Sequence, residues 1–202
     1  MSGWKGWEGC ERMDIQVEKL CKAYGEQQIF QDYSAVFPEG KVSCVTGSSG
    51  RGKTTLLRLL MGLEQPDSGT IQGLSGVRFS AVFQEDRLCE NLSPLSNLRM
   101  VCKKRPARQQ LIERLEKVDL AGCEEKPVRE LSGGMKRRVS ILRAFLAEFD
   151  VLFLDEPFKG LDARTYEKVT DYVREQIKGR TAILVSHDPR DIERLGGVEF
   201  RL

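Results

Sequence analysis

The stretch that decides how this chain is read is Gly47-Ser48-Ser49-Gly50-Arg51-Gly52-Lys53-Thr54, with Thr55 directly after it. It satisfies every fixed position of the phosphate-loop pattern G-x-x-x-x-G-K-[ST]. Val42-Ser43-Cys44-Val45-Thr46 leads in as a short buried strand, and residues 55–61 lead out as a helix. Glycine lets the backbone pass close to phosphate oxygens, because no Cβ intervenes. Unpaired N–H groups at the start of the helix then point at the anion. In this reading residues 47–55 cradle the phosphates of a nucleotide. Lys53 reaches the β- and γ-phosphates and the Thr54 hydroxyl holds Mg²⁺.

Composition narrows the setting. A chain of 202 residues makes one domain, or one domain with an inserted subdomain. It is 40% hydrophobic and 31% charged, which suits a globular protein with a proper core. A net charge of +2 gives no global field toward nucleic acid or an anionic membrane. The basic runs Lys103-Lys104-Arg105 and Lys136-Arg137-Arg138 read as solvated faces, so no nucleic-acid partner is expected. Six scattered cysteines without a C-x-x-C pair argue against a zinc site and a disulfide framework, and free thiols point to a reducing cytosol. The apolar runs are too short to span a bilayer, and no signal pattern opens the chain. Work at a membrane would need another chain to supply the spanning helices.

Taken in order, residues 1–12 hold Trp4 and Trp7 without any period and read as a disordered extension. The domain is expected over residues 13–202. Residues 14–20 alternate like a half-buried strand, and a second strand over residues 29–37 ends at Pro38-Glu39-Gly40, giving antiparallel strands ahead of the loop. Tyr24, between them, is placed to stack on a purine ring. Strands are predicted at Thr70-Ile71 and over residues 77–83. Residues 88–130 lack buried-strand patterns and are cut by Pro94, Pro106 and Pro127, so they read as an inserted helical subdomain. The core resumes with a helix over residues 135–148, a buried strand from Val151 to Leu154, a helix over residues 163–177, a strand over residues 181–185, a short helix from Pro189 and a last strand over residues 198–201. The fold class is α/β: a phosphate-loop core with a mostly parallel sheet, an N-terminal antiparallel β subdomain and an inserted helical subdomain.

Val151-Leu152-Phe153-Leu154-Asp155-Glu156 carries the second signal. A buried strand that ends in a carboxylate puts charge at the carboxyl edge of a parallel sheet, where ligands of such folds bind. Asp155 can hold Mg²⁺, and Glu156 can polarise an attacking water. Leu131-Ser132-Gly133-Gly134 opens a helix with two glycines, an anion site of the same physical kind as the first loop.

With these motifs in hand, residues 13–202 resemble the ATP-binding cassette subunit of an ABC transporter. The phosphate loop matches Walker A, and Val151 to Glu156 matches Walker B. Leu131 to Met135 matches the signature L-S-G-G-Q, with Met135 in place of Gln. Gln84 stands at the Q-loop position, Tyr24 at the A-loop, Phe158-Lys159-Gly160-Leu161-Asp162 at the D-loop and His187 at the H-loop. The resemblance implies ATP and Mg²⁺, with Thr54, Gln84 and Asp155 at the metal. It implies that Ser132, Gly133 and Gly134 of a second copy, or of a homologous ATPase subunit, close over the γ-phosphate in a head-to-tail dimer. Glu156 then serves as base, His187 contacts the γ-phosphate, Asp162 couples the two sites, and Gln84 reports γ-phosphate occupancy to a membrane permease. Val82 to Leu88, Asp155-Glu156-Pro157-Phe158 and Asp188-Pro189 are similar to the nitrate, sulfonate and taurine importer ATPases. The expected role is therefore the ATP-hydrolysing subunit of an importer, peripheral on the cytoplasmic face of the membrane, with a permease and a solute-binding protein. An exporter subunit or a soluble non-transport cassette are the alternatives.

Overall fold

The computed structural model describes residues 14–202; the extension expected over residues 1–12 lies outside the described residues. Two sheets organise the chain. The first is antiparallel, with β1 (Ile15–Tyr24) between β2 (Gln27–Phe37) and β4 (Ser68–Gln72). The second is parallel and five-stranded, in the order β5 (Phe79–Val82), β6 (Val151–Asp155), β7 (Thr181–Val185), β3 (Val42–Thr46), β8 (Val198–Arg201). Strands β3, β6 and β7 are buried almost end to end because both faces of this sheet are covered. Leu152, Leu154, Ala182 and Leu184 turn to the helical side, whereas Val151, Phe153, Ile183 and Val185 turn toward the antiparallel sheet. Side-chain alternation alone thus divides one run between two cores.

The first core encloses α1 (Lys53–Leu60), whose Leu56, Leu57, Leu59 and Leu60 pack beside Ile15, Phe30 and Phe37. The second gathers α2 (Pro94–Arg99), α3 (Arg108–Lys117), α4 (Gly133–Leu146) and α5 (Ala163–Ile177) on the other face. Residues 88–130 hold α2, α3 and a short 3₁₀ turn, Val128–Glu130, and no strand. The last helix, α6 (Pro189–Leu195), links β7 to β8. Cys44 sits fully buried in β3, and that burial first, with Asp191 and Glu199 adding to it, pushes its thiol up to about 12. It packs as a small hydrophobe, as its place in the strand implies.

One expectation is corrected. Arg137 and Arg138 do not form a solvated face; both are buried in α4. Arg138 donates to the carbonyls of Val118 and Asp119, and Arg137 to those of Phe83 and Gln84. Long side chains can bury their stems and charge when backbone carbonyls receive every donor.

Candidate active site

Three strands of the parallel sheet end side by side and deliver the site. From β3 the chain enters the loop of residues 47–52, from β6 it continues into Glu156, and from β7 into Ser186 and His187. Gly52 caps α1 at φ 87° with no side chain bonded to the helix start, so the first-turn N–H groups stay open to a ligand. A Cβ at Gly52 would fall 2.4 Å from Ile29 Cγ2 as well as forcing a left-handed backbone. Lys53 is 8% exposed, and its ammonium donates to the carbonyls of Gly47 (2.7 Å) and Ser48 (2.9 Å). The cation is thus folded over the loop that would receive phosphate.

Asp155 lies beneath, 5% exposed, with its Oδ1 buried and unpartnered. Burial first, and the neighbouring Glu156 charge after it, raise its carboxyl above the ordinary aspartate value, against the Thr54 hydroxyl, Arg137 and Lys53. A buried carboxylate oxygen without a donor, beside a hydroxyl, is a hard-oxygen set that fits Mg²⁺. Among the described residues no group of three His, Cys, Asp or Glu side chains could hold a metal. Mg²⁺ does not require one, since it keeps water and phosphate oxygens as ligands.

Glu156 holds a left-handed backbone conformation, φ 46°, and its N–H donates to Val185 O at 2.9 Å. That kink turns the side chain away from the line of β6. Its Oε1 lies 3.0 Å from His187 Nδ1, and its Oε2 lies 3.1 Å from Lys159 Nζ. Burial opposes its ionisation, but Lys159 and His187 outweigh that, and the carboxyl titrates below the ordinary glutamate value. An ionised carboxylate only accepts, so the imidazole proton facing it is on Nδ1.

A cavity of about 500 Å³ opens over Lys53, Glu156 and His187, while Asp155 lies outside its lining. It brings together Ser49, Gly50, Gly52, Lys53, Thr54 and Thr55 with Gln84, Glu156 and His187. Gly47 and Ser48 turn their carbonyls to Lys53, and Arg51 closes the loop with its N–H on Ser48 O. Tyr24 stands at the end of β1, 46% exposed, its hydroxyl bonded to Glu64. Ser132, Gly133, Gly134 and Asp162 do not line the cavity. Ser132 caps α4 through Met135 N, Asp162 caps α5 through Thr165, and a Cβ on Gly134 would meet Gly160 O at 3.4 Å. The helix start and the turn before α5 therefore form one surface apart from the phosphate loop. A larger cavity, about 700 Å³, opens at the amino ends of β6 and β7, the wrong edge for a ligand in such a sheet.

Three lining residues were not assigned to the site from the sequence: Ile29, Val185 and Lys159. Ile29 comes from β2 across the sheet boundary, with no local signal. Lys159 follows Glu156 by three residues in a turn, and that spacing could have marked it as the carboxylate's partner.

Comparison with known proteins follows the same lines. Residues 30–159 match the family described as ABC transporter. The sulfate/thiosulfate import ATP-binding protein of Rhizobium meliloti is 35% identical over 199 residues, covering 89% of this chain and 54% of that one. The aliphatic sulfonates import ATP-binding protein of Rhodococcus jostii is 39% identical over 171 residues, covering 82% of this chain and 69% of that one. The chain spans about half the length of the sulfate/thiosulfate relatives it matches. In fold, it is like an ATP-binding cassette solved as a dimer in a post-hydrolysis state with ADP and Pi, with a TM-score of 0.80 and 24% identity over 93% of this chain and 94% of that one. The matched residues span both the phosphate loop and Glu156, and this chain belongs to the ABC transporter family.

Proposed function

We propose that this chain binds ATP with Mg²⁺ and hydrolyses it as a head-to-tail dimer, powering a separate membrane permease of an import system. The observation that carries the reading is the pairing of Glu156 with His187 at the mouth of the Lys53 loop. The open N–H groups of α1 and the ammonium of Lys53 would receive the β- and γ-phosphates. Thr54, Asp155 and Gln84 would hold Mg²⁺, which would neutralise charge on the phosphate oxygens when bound. Glu156, kept ionised by Lys159 and His187, orients water and takes its proton as the new O–P bond forms and the bridging P–O bond breaks. Tyr24 supplies a ring for the base.

Ser132, Gly133 and Gly134 sit on a surface of their own, so within one copy they leave the cavity uncovered. A second copy related by a twofold axis would bring them over the γ-phosphate, excluding water and completing the electrostatic clamp. Asp162, on the same surface, would touch both sites. The relatives' names support the direction of transport, since both are import ATP-binding proteins. No helix among the described residues is long and apolar enough to cross a membrane, so the permease would be a different polypeptide segment. Residues 88–130 would be the subdomain that meets it, and the chain would sit on the cytoplasmic face. Phosphate release from ATP by purified protein tests the reading: turnover that requires Mg²⁺ and is lost in Lys53→Ala supports it, and absence of turnover in the parent refutes it.

A further inference from the structure

Arg137 enters none of the roles above, yet its surroundings are unusual. The side chain comes from the second turn of α4 and is 7% exposed. Its guanidinium donates to Phe83 O at 2.6 Å and to Gln84 O, and its Nε lies 3.3 Å from Asp86 Oδ1. The two carbonyls belong to the peptide planes on either side of the Gln84 Cα. Fixing both planes fixes φ and ψ of Gln84, and with them the direction of its side chain at the cavity. Arg87 closes the same loop from outside, 3.8 Å from the centroid of the Phe83 ring. Only a planar fork of donors can hold two successive carbonyls and a carboxylate at once.

The other end of the connection is as short. Arg137 lies three residues beyond Gly134 on one rigid helix, a rise of about 4.5 Å. Resting on the reading under Proposed function, Gln84 belongs to this chain's own nucleotide site, and Ser132 to Gly134 belong to the site on the second copy. We propose that Arg137 is the positioning residue that aims Gln84 and carries its displacement along α4 to the Ser132–Gly134 cap, so that nucleotide in one site sets the closure of the other. A buried arginine that served stability alone would have no reason to grip both planes that flank Gln84. If the link is rigid, the two ends move together, because a packed interior has discrete arrangements and does not deform freely.

Two measurements test it. First, turnover is followed in Arg137→Gln, Gln84→Ala and the double variant, with Arg137→Lys replacing Arg137→Gln should the latter fail to fold. The expected result is unchanged ATP affinity in Arg137→Gln, a fall in kcat of roughly 10- to 100-fold in each single variant, and no further fall in kcat in the double variant. Single losses that multiply in the double variant, or parental kcat in Arg137→Gln, would overturn the proposal. Second, amide exchange of residues 132–136 is followed with and without ATP on Glu156→Gln protein diluted until size exclusion shows it monomeric even with ATP bound. ATP is expected to change that exchange when Arg137 is present and to leave it unchanged in the additional Arg137→Gln variant. An equal response in both would overturn the link while leaving ATP hydrolysis in place, whereas a parent that hydrolyses nothing but shows the exchange difference would refute the functional reading alone. A parent with no ATP response at residues 132–136 would overturn the link outright.

Discussion

Glu156 Oε1 and His187 Nδ1 meet at 3.0 Å because β6 and β7 run parallel in a register that pairs Asp155 with Val185. One residue past that pair, Glu156 kinks and bonds back to Val185 O, while His187 arrives from the neighbouring strand. The sheet itself therefore brings the carboxylate and the imidazole together. Replacing the carboxylate tests the role without changing the shape. Glu156→Gln is expected to slow hydrolysis by at least about 100-fold, to keep ATP affinity, and to accumulate an ATP-bound dimer on size exclusion. Parental turnover in this variant would remove Glu156 from the chemistry.

Tyr24 is oriented by its hydroxyl contact with Glu64, across the gap from β1 to the segment after α1. Tyr24→Ala is expected to weaken ATP binding by about 1–3 kcal/mol, the loss seen when a stacked ring is removed. Tyr24→Phe keeps the ring and is expected to retain most of the affinity. An equilibrium titration in which the alanine variant binds like the parent would take Tyr24 out of the site.

Gly52→Ala puts a Cβ 2.4 Å from Ile29 Cγ2 and 3.0 Å from Phe30 Cζ at a φ of 87°. The expected cost in denaturant unfolding is at least about 1 kcal/mol, together with loss of phosphate binding as the loop reopens. Unaltered ATP affinity in this variant would show that the loop geometry is not what holds the phosphates.

Much of this was legible in the sequence because it is local. The bounds of α5 and β8 follow from a helical period and a terminal alternation, and Asp162 and Gly179 mark the ends of the helix. Other features are set by distant partners. α1 begins at Lys53, before the apolar period starts, because Gly52 in the left-handed region turns the chain into the helix. β1 runs on to Tyr24 past the break in its alternation, since bulges near Lys19 restore its pairing with β2. Arg137 is buried against carbonyls 53 and 54 residues away, which no local charge pattern reveals. Lys159 was within reach of a spacing argument, while Ile29 required the fold.

Asp162 offers a pH test. Its carboxylate accepts from Thr165 Oγ1 at 2.7 Å and Thr165 N at 3.0 Å, and those bonds lower its pKa from the ordinary aspartate value. A depressed folded-state value stabilises the fold above the unfolded pKa of about 3.9 and loses that contribution as pH falls through the folded value. Asp162→Asn keeps an acceptor at the cap but has no charge to lose. Its denaturant midpoint is expected below the parent's at pH 7, with the gap closing as pH falls below about 3.9. A gap that stays constant over that range would assign the effect to something other than the ionised cap.

In the proposed dimer, a site begun by Lys53 and Glu156 of one chain is finished by Ser132 of another, and mixing two inactive variants tests this directly. Lys53→Ala disables the phosphate loop, and Ser132→Arg disables the cap. Each alone is expected to be inactive. Mixed in equal amounts they form dimers of which half are hybrid, each hybrid holding one intact composite site, so that activity returns to at most about a quarter of the parental rate, the coupling through Arg137 holding it below that ceiling. A mixture as inactive as its components, or a Ser132→Arg protein that turns over ATP at the parental rate, would contradict the claim.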